Sequence, residues 1–364
     1  DIPGFVAAFT GSQRYVMDYL MEEVLQKQTQ ELRDFLIKTS VLERLSGPLC
    51  DFVTGRIDSQ DILLSLERGH LFIVPLDETR RWWRYEHLFA DLLRHQCETV
   101  YGTEQVAALH RQASQWFEDN HLPDAAIHHA LAAKDWETSI RLIYAHGEER
   151  RKRGEFNTLL GWFQATPHEI LREHLRLYSQ YAALLSAVGQ LDAAEAALSY
   201  LESAAQDDTA LQGEAAFARG IVFRHRGDLK RCLELFEKAF ALLPPGDVAM
   251  RSRAALSIAH ARFRLDFLQE AEKWAMKACE LGQQAGDIVA VVLALGLIGN
   301  IAAYQGKLKR AVEMYQKANE LAGQMASWFG SYDVLCIVQY ILNDLEEVAE
   351  NARLAFESAE LSGQ

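Results

Sequence analysis

At 364 residues the chain has room for two or three domains. Its 49% apolar and 24% charged residues exclude a disordered chain, and a formal balance of 37 − 51 = −14 argues against adhesion to nucleic acid or anionic membrane as its main business. Seven prolines and 22 scattered glycines disfavour a turn-rich all-β protein.

In chain order, the first strong pattern runs from Gln30 to Arg94. The string ELRDFLIKTSVLERL has helical periodicity, with Leu32, Phe35 and Leu36 on one face. Pro48 suits the first turn of a second short helix that stops near Gly55. Ser59 is the expected N-cap of DILLSLERG, and Gly69 its C-terminal stop. LFIVP and WWRYE, separated by the polar LDETRR, predict an antiparallel hairpin, and HLFADLLRH a closing helix. Three helices and a two-stranded wing make a winged helix. Its third helix carries Asp58, Asp61 and Glu67 against Arg68, a poor match to phosphate even with Arg80, Arg81 and Arg84 on the wing. DNA binding is therefore not expected of this module.

From Glu104 to Ile143 the chain reads as irregular helix pairs, with Ala113, Ala125 and Ala132 placed around Asn120. The basic run Arg150–Arg153 then predicts a solvated helix end or loop.

Further on the sequence repeats. VGQLDAAEAALSYL, RGDLKRCLELFEKA, LDFLQEAEKWAMKA and QGKLKRAVEMYQKA share one turn-and-helix frame, and LNDLEEVAENARLA from Leu342 is a weaker fifth copy. The turn residues Gly189, Gly227, Asp266, Gly306 and Asn343 lie 38, 39, 40 and 37 residues apart. Small residues recur seven before each turn (Ala182, Gly220, Ala259, Gly299, Cys336), with Ala194, Cys232, Ala271, Ala311 and Val348 five after. Such a frame predicts stacked helical hairpins resembling tetratricopeptide repeats, with a slightly longer period. The uncharged run Ile288–Gly306 fits this frame as a buried helix, so no membrane span is expected. Five widely spaced cysteines, Cys50, Cys97, Cys232, Cys279 and Cys336, are expected reduced in a cytoplasmic protein.

The strings RYVMDYLMEEVL (from Arg14), FLIKTSVLERLSGPLCDFVTG (from Phe35) and LERGHLFIVPLDETRRWWRYEHLFADLLRH (from Leu66) resemble the core of MalT-like regulators. These are large LuxR-type, ATP-binding bacterial transcription activators of the STAND class of signalling ATPases. HRQASQWFEDNHLPDAAIHHALAAKDW extends the resemblance to about residue 145; beyond that it is architectural. The resemblance implies a mainly α fold. Residues 1–30 would end the helical region of the ATPase module, 31–100 form the winged helix, 101–170 link, and 171–364 form a superhelical repeat sensor of about five helix pairs. It also implies ATP or ADP in the full-length protein, other domains of the same regulator as partners, and DNA contact only through a C-terminal domain outside this sequence. No stretch here reads GxxxxGK[ST], so no nucleotide cofactor is expected of this segment itself. In the class a winged-helix histidine contacts nucleotide phosphate; Glu86 stands at the matching position, with His87 beside it. An acidic residue there puts that lock in doubt.

No catalytic constellation or metal-ligand spacing is present, and the segment is not expected to be an enzyme. A binding face is the better candidate. The frame turns Arg224, Arg253, His260, Arg264, Asn300 and Tyr304 toward the concave side, with Arg176, Ser179, Glu214, Phe217, His225, Asp333 and Tyr340 beside them. Guanidinium forks and aromatic rings suit a polar small-molecule inducer or a peptide or protein partner. A solvated inner face without ligand is the alternative, and a stand-alone protein scaffold is the competing function.

Overall fold

In a computed structural model, residues 20–152, 154–205 and 208–322 are described. The chain divides after Glu148 into two compact units, each taken by itself.

The first unit opens with a π-helical turn at Leu20–Leu25, followed by α1 (Gln30–Thr39), α2 (Gly47–Thr54) and α3 (Ser59–Arg68). Strands β1 (Ile73–Pro75) and β2 (Trp83–Tyr85) pair antiparallel, with Val74 opposite Arg84. Leu45 adds a one-residue bridge on the other edge of β2 by exchanging both main-chain hydrogen bonds with Trp83 (2.7 and 2.9 Å). This is the expected winged helix, and its core is Phe35, Leu36, Leu49, Leu63, Trp83 and Phe89.

Local chemistry differs from expectation at three points. Asp58, not Ser59, precedes α3, and the Ser59 amide is received by Asp51 Oδ1 at 3.0 Å. A remote carboxylate thus replaces a local cap. The left-handed residue after α3 is His70 (φ 52°), since Gly69 keeps φ −80°. Helix α4 (His87–Asp119) then runs past a break at Gly102 (φ 71°, ψ 170°), a conformation that favours glycine. Its hairpin with α5 (Pro123–Ala132) turns on left-handed His121 rather than Asn120. Counted from His121, the small positions become Ser114 and Ala126, both buried and joined by a 2.8 Å bond from Ser114 Oγ to the Ala126 carbonyl. The expected frame was therefore one residue early. Helix α6 (Trp136–Lys152) follows after left-handed Lys134.

The second unit contains α7 (Phe156–Ala165), the short α8 (His168–Glu173) and four hairpins. These are α9 (Leu175–Ala187) with α10 (Leu191–Ala204), α11 (Thr209–His225) with α12 (Leu229–Leu242), α13 (Val248–Arg264) with α14 (Leu268–Ala285), and α15 (Ile288–Tyr304) with α16 (Leu308–Ala322). Each first helix packs on its own second helix, and each second helix from α10 to α14 packs on the first helix of the next hairpin, so the core is continuous along the described stack. The fifth copy, with Asn343, Cys336 and Val348, lies outside the described residues.

Two local devices recur. All four described turn residues, Gly189, Gly227, Asp266 and Gly306, are left-handed (φ 66–80°). The next amide in each case reaches back to a carbonyl of the preceding helix, as from Asp228 to Phe223 (3.1 Å) and Lys307 to Ala302 (2.9 Å). This satisfies acceptors that the helix end leaves open. Asp208, Asp247 and Asp287 cap the N-termini of α11, α13 and α15.

Between the two helices of a hairpin, the residue seven before the turn meets the residue nine after it. A Cβ on Gly220 would lie 2.5 Å from the Phe236 ring, and one on Gly299 2.5 Å from the Tyr315 ring. In the α13–α14 hairpin the corresponding pair is Ala259 and Ala275, both fully buried. Glycine leaves the slot that an aromatic ring fills; alanine faces alanine where no ring is present.

Helix α15 holds the uncharged run, and most of its side chains are buried in the stack. Among the described residues no helix is long and apolar enough to cross a membrane. Cys50, Cys97 and Cys232 are buried free thiols and Cys279 is a partly buried one, while Cys336 lies outside the described residues.

Candidate ligand-binding face of the repeats

The candidate residues occupy related places in the frame. Arg264 and Tyr304 stand two before their turn residues, Arg224 three before, and His260 and Asn300 six before. Offsets two and six are one helical turn apart, so they share a face of each first helix. Thirteen before the turn come Arg176, Glu214 and Arg253.

Not all of these side chains are available. Asn300 Oδ1 accepts the Tyr315 hydroxyl at 2.7 Å, within its own hairpin. Arg253 lies 3.5 Å from Asp287, the carboxylate that caps α15, and so joins two successive repeats. Ser179 is buried and hydrogen-bonds Glu214, whose carboxyl is pushed up by burial despite that bond and the nearby Arg176 charge. Phe217 packs on the Phe236 ring with centroids 5.4 Å apart. These five serve the stack. Asp333 and Tyr340 lie outside the described residues.

Arg224, His260, Arg264 and Tyr304 remain, with exposed His225 at the same offset as Arg264 and Tyr304, and Arg176, which lies 4.0 Å from Asp208. His260 is largely enclosed, and burial, aided by the Arg224 charge, pushes its imidazole down to about 4. The thiol of Cys232 beneath is raised to about 11, chiefly by burial, with Arg224 and Arg264 opposing the shift. Ile221 and Ala261, each three residues before Arg224 and Arg264 respectively, pack with Cys232 in one core cluster, so the two arginines emerge from successive repeats beside the same cluster. Tyr304 is 69% exposed and stands edge-on to Phe263 at 6.1 Å.

The other described arginines of the repeats are spoken for. Carboxylates meet Arg176, Arg219, Arg226, Arg253, Arg262 and Arg310; rings meet Arg172 and Arg231; and Arg251 donates to the Phe240 and Leu243 carbonyls. Arg224 and Arg264 meet no carboxylate, ring or carbonyl among the described residues.

On the winged helix, His87 is the first residue of α4 and Glu86 its N-cap, exposed and without a side-chain capping bond. Arg84 donates from Nη1 to His87 Nε2 at 2.9 Å. An exposed carboxylate at this helix start would repel a phosphate brought to it. The acid on α3 is also occupied: Glu67 accepts from Trp83 Nε1 (3.0 Å) and Arg80 Nε (2.9 Å), bonds that lower its carboxyl. Arg80 is thereby withdrawn from the wing's positive face.

Sequence spacing did not disclose the buried contact of His110 and His129, whose Nδ1 atoms are 2.8 Å apart across the α4–α5 hairpin. His129 stacks on Phe117, while its chain neighbour His128 points out, 3.6 Å from Glu43. Among the described residues no group of three potential metal ligands assembles.

The architecture defines a class, a winged helix continued by helical-hairpin repeats. A family model for the MalT winged helix domain matches residues 21–105. Over 344 residues it is 28% identical to the serine/threonine-protein kinase PknK of Mycobacterium tuberculosis, covering 89% of this chain and 31% of the kinase. It is 28% identical over 316 residues to the HTH-type transcriptional regulator MalT of Vibrio campbellii (85% of this chain, 30% of the relative), and 30% identical over 232 residues to MalT of Klebsiella pneumoniae (63% and 26%). The chain thus spans about a third or less of these relatives' length. A solved STAND protein with a tetratricopeptide repeat sensor from Pyrococcus horikoshii is similar at a TM-score of 0.48 and 13% identity, covering 95% of this chain and 59% of its own.

Proposed function

We propose that this segment is the signal-sensing and relay part of a bacterial MalT-like transcription regulator of the STAND class. Its input face is the inner side of the hairpin repeats, where a small-molecule inducer or a peptide binds. The supporting observation is the set Arg224, His260, Arg264 and Tyr304: side chains from three successive hairpins on related offsets that the stack itself does not consume. The breadth of the similarity agrees, since the same segment is shared with proteins named for two different outputs, a kinase and a helix-turn-helix regulator. A part common to both outputs is better suited to sensing than to either output.

On this reading the segment is not itself an enzyme, the full-length protein is an ATP- or ADP-dependent cytoplasmic switch, and DNA is met through another domain. The winged helix relays between nucleotide module and sensor, without a phosphate contact from Glu86. The test is a thermal-shift screen of sugars, amino acids and short peptides. A true inducer raises stability by mass action, about 2.7 kcal/mol at a hundredfold excess over its Kd. The shift should shrink in Arg264→Ala and Tyr304→Ala; hits unchanged in both would place the input elsewhere.

A further inference from the structure

The inner face is uneven in charge, and the unevenness narrows the ligand. In a chain of net charge −14, carboxylates are plentiful, and the other described arginines of the repeats have found one, or a ring or a carbonyl. Arg224 and Arg264 have not, although they come from neighbouring hairpins and each follows by three residues a member, Ile221 or Ala261, of one core cluster. Glu214, on the same helix as Arg224, sits ten residues earlier, a rise of about 15 Å, too far to neutralise it. Asp228 is closer in sequence, but its Oδ1 accepts the Arg231 amide at 3.1 Å in capping α12.

The two arginines could serve only to offset the negative ends of their helices. The repeats argue against this. Both occupy the last turns of α11 and α13, yet α9 and α15 end with no basic residue there. The charge belongs to one place on the face and not to the repeat as such. His260 stands one turn before Arg264, is largely enclosed, and feels the Arg224 charge from the preceding hairpin.

We propose that Arg224, His260 and Arg264 form a site for the oxyanion group of a small acidic ligand, a phosphate monoester or a carboxylate. This rests on the reading of the inner face as the input face, and makes it specific. Two unpaired guanidiniums offer forked donors that match either oxyanion, and the imidazole adds a third polar contact. Tyr304, exposed on the following hairpin, would cover the body of the ligand.

Calorimetric titration of the full chain with inorganic pyrophosphate and, separately, citrate, at constant ionic strength, tests this and separates phosphate from carboxylate. Saturable binding of either anion is expected. Arg224→Gln and Arg264→Gln should each weaken it roughly tenfold or more, the scale of a lost charged hydrogen bond, while Arg219→Gln, in the Glu202 ion pair, should change it less than about twofold. Arg264→Lys keeps the charge and loses the fork, so an intermediate loss is expected and guards against a variant that merely unfolds. Absence of saturation by either anion up to about 10 mM, or binding that both Gln variants retain, would overturn the proposal. If neutral sugars or peptides bind in a Tyr304-dependent way while both anions fail, the acidic ligand is refuted and the input face survives. If none of these probes binds, both readings fall.

Discussion

His110 and His129 face each other through their Nδ1 atoms, so one ring must donate and the other must offer a lone pair. Burial, then neighbouring histidine charge, holds them down to about 4 and about 3 respectively. Unfolded histidine titrates near 6.5. Between these values the unfolded chain binds protons that the native pair refuses. The stabilisation is therefore complete above about pH 6.5 and declines as pH falls toward 4. His260 shares the direction, so the slope will not vanish with the pair. Urea midpoints of wild type should drop between pH 7 and 5, and drop less in His110→Leu/His129→Leu. An equal slope in the double variant would remove the pair from the account.

At the scale of the element, the four described hairpin turns pose one conformational problem and solve it two ways. Gly189, Gly227 and Gly306 adopt the left-handed region without a Cβ, while Asp266 adopts it at φ 66° and carries the strain. Gly227→Ala should cost about 1 kcal/mol, and Asp266→Gly should change stability in the opposite direction by less than that. Chemical denaturation of the two variants checks the sign; stabilisation by Gly227→Ala would refute the argument. These turns were legible in the sequence because a left-handed residue leaves a compositional trace at a constant period. The α4–α5 turn was placed one residue early because His121 carries no such trace, while Asn120 looked the better turn former. The face was legible only as positions. That Asn300 answers Tyr315 and Arg253 answers Asp287 depends on which neighbour each side chain reaches, and the repeat frame does not contain that information.

Across the whole repeat unit, each hairpin touches chiefly its neighbours, so a local fault should remain local. Gly299→Leu forces a branched side chain against the Tyr315 ring, and overpacking of this kind costs about 1–3 kcal/mol. Hydrogen exchange should accelerate in α15 and α16, less in α13 and α14, and not at all in α9 and α10. Uniform acceleration along the stack would mean one cooperative core in place of linked units. Tyr315→Leu added to Gly299→Ala should restore part of the loss by trading volume across the seam.

That same seam makes the four hairpins mechanically unequal. In the α11–α12 and α15–α16 hairpins an aromatic ring is seated against a glycine, as a key sits in a keyway, and sliding one helix along the other must drag the ring over a ridge. Helix α13 lies on α14 without such a key: Ala259 and Ala275 stand at the ring's position, and the register is held by the 2.8 Å bond from Ser252 Oγ to the Ala278 carbonyl. The helix that carries His260 and Arg264 is therefore held on its partner by a polar clasp, between two hairpins whose registers are held by shape.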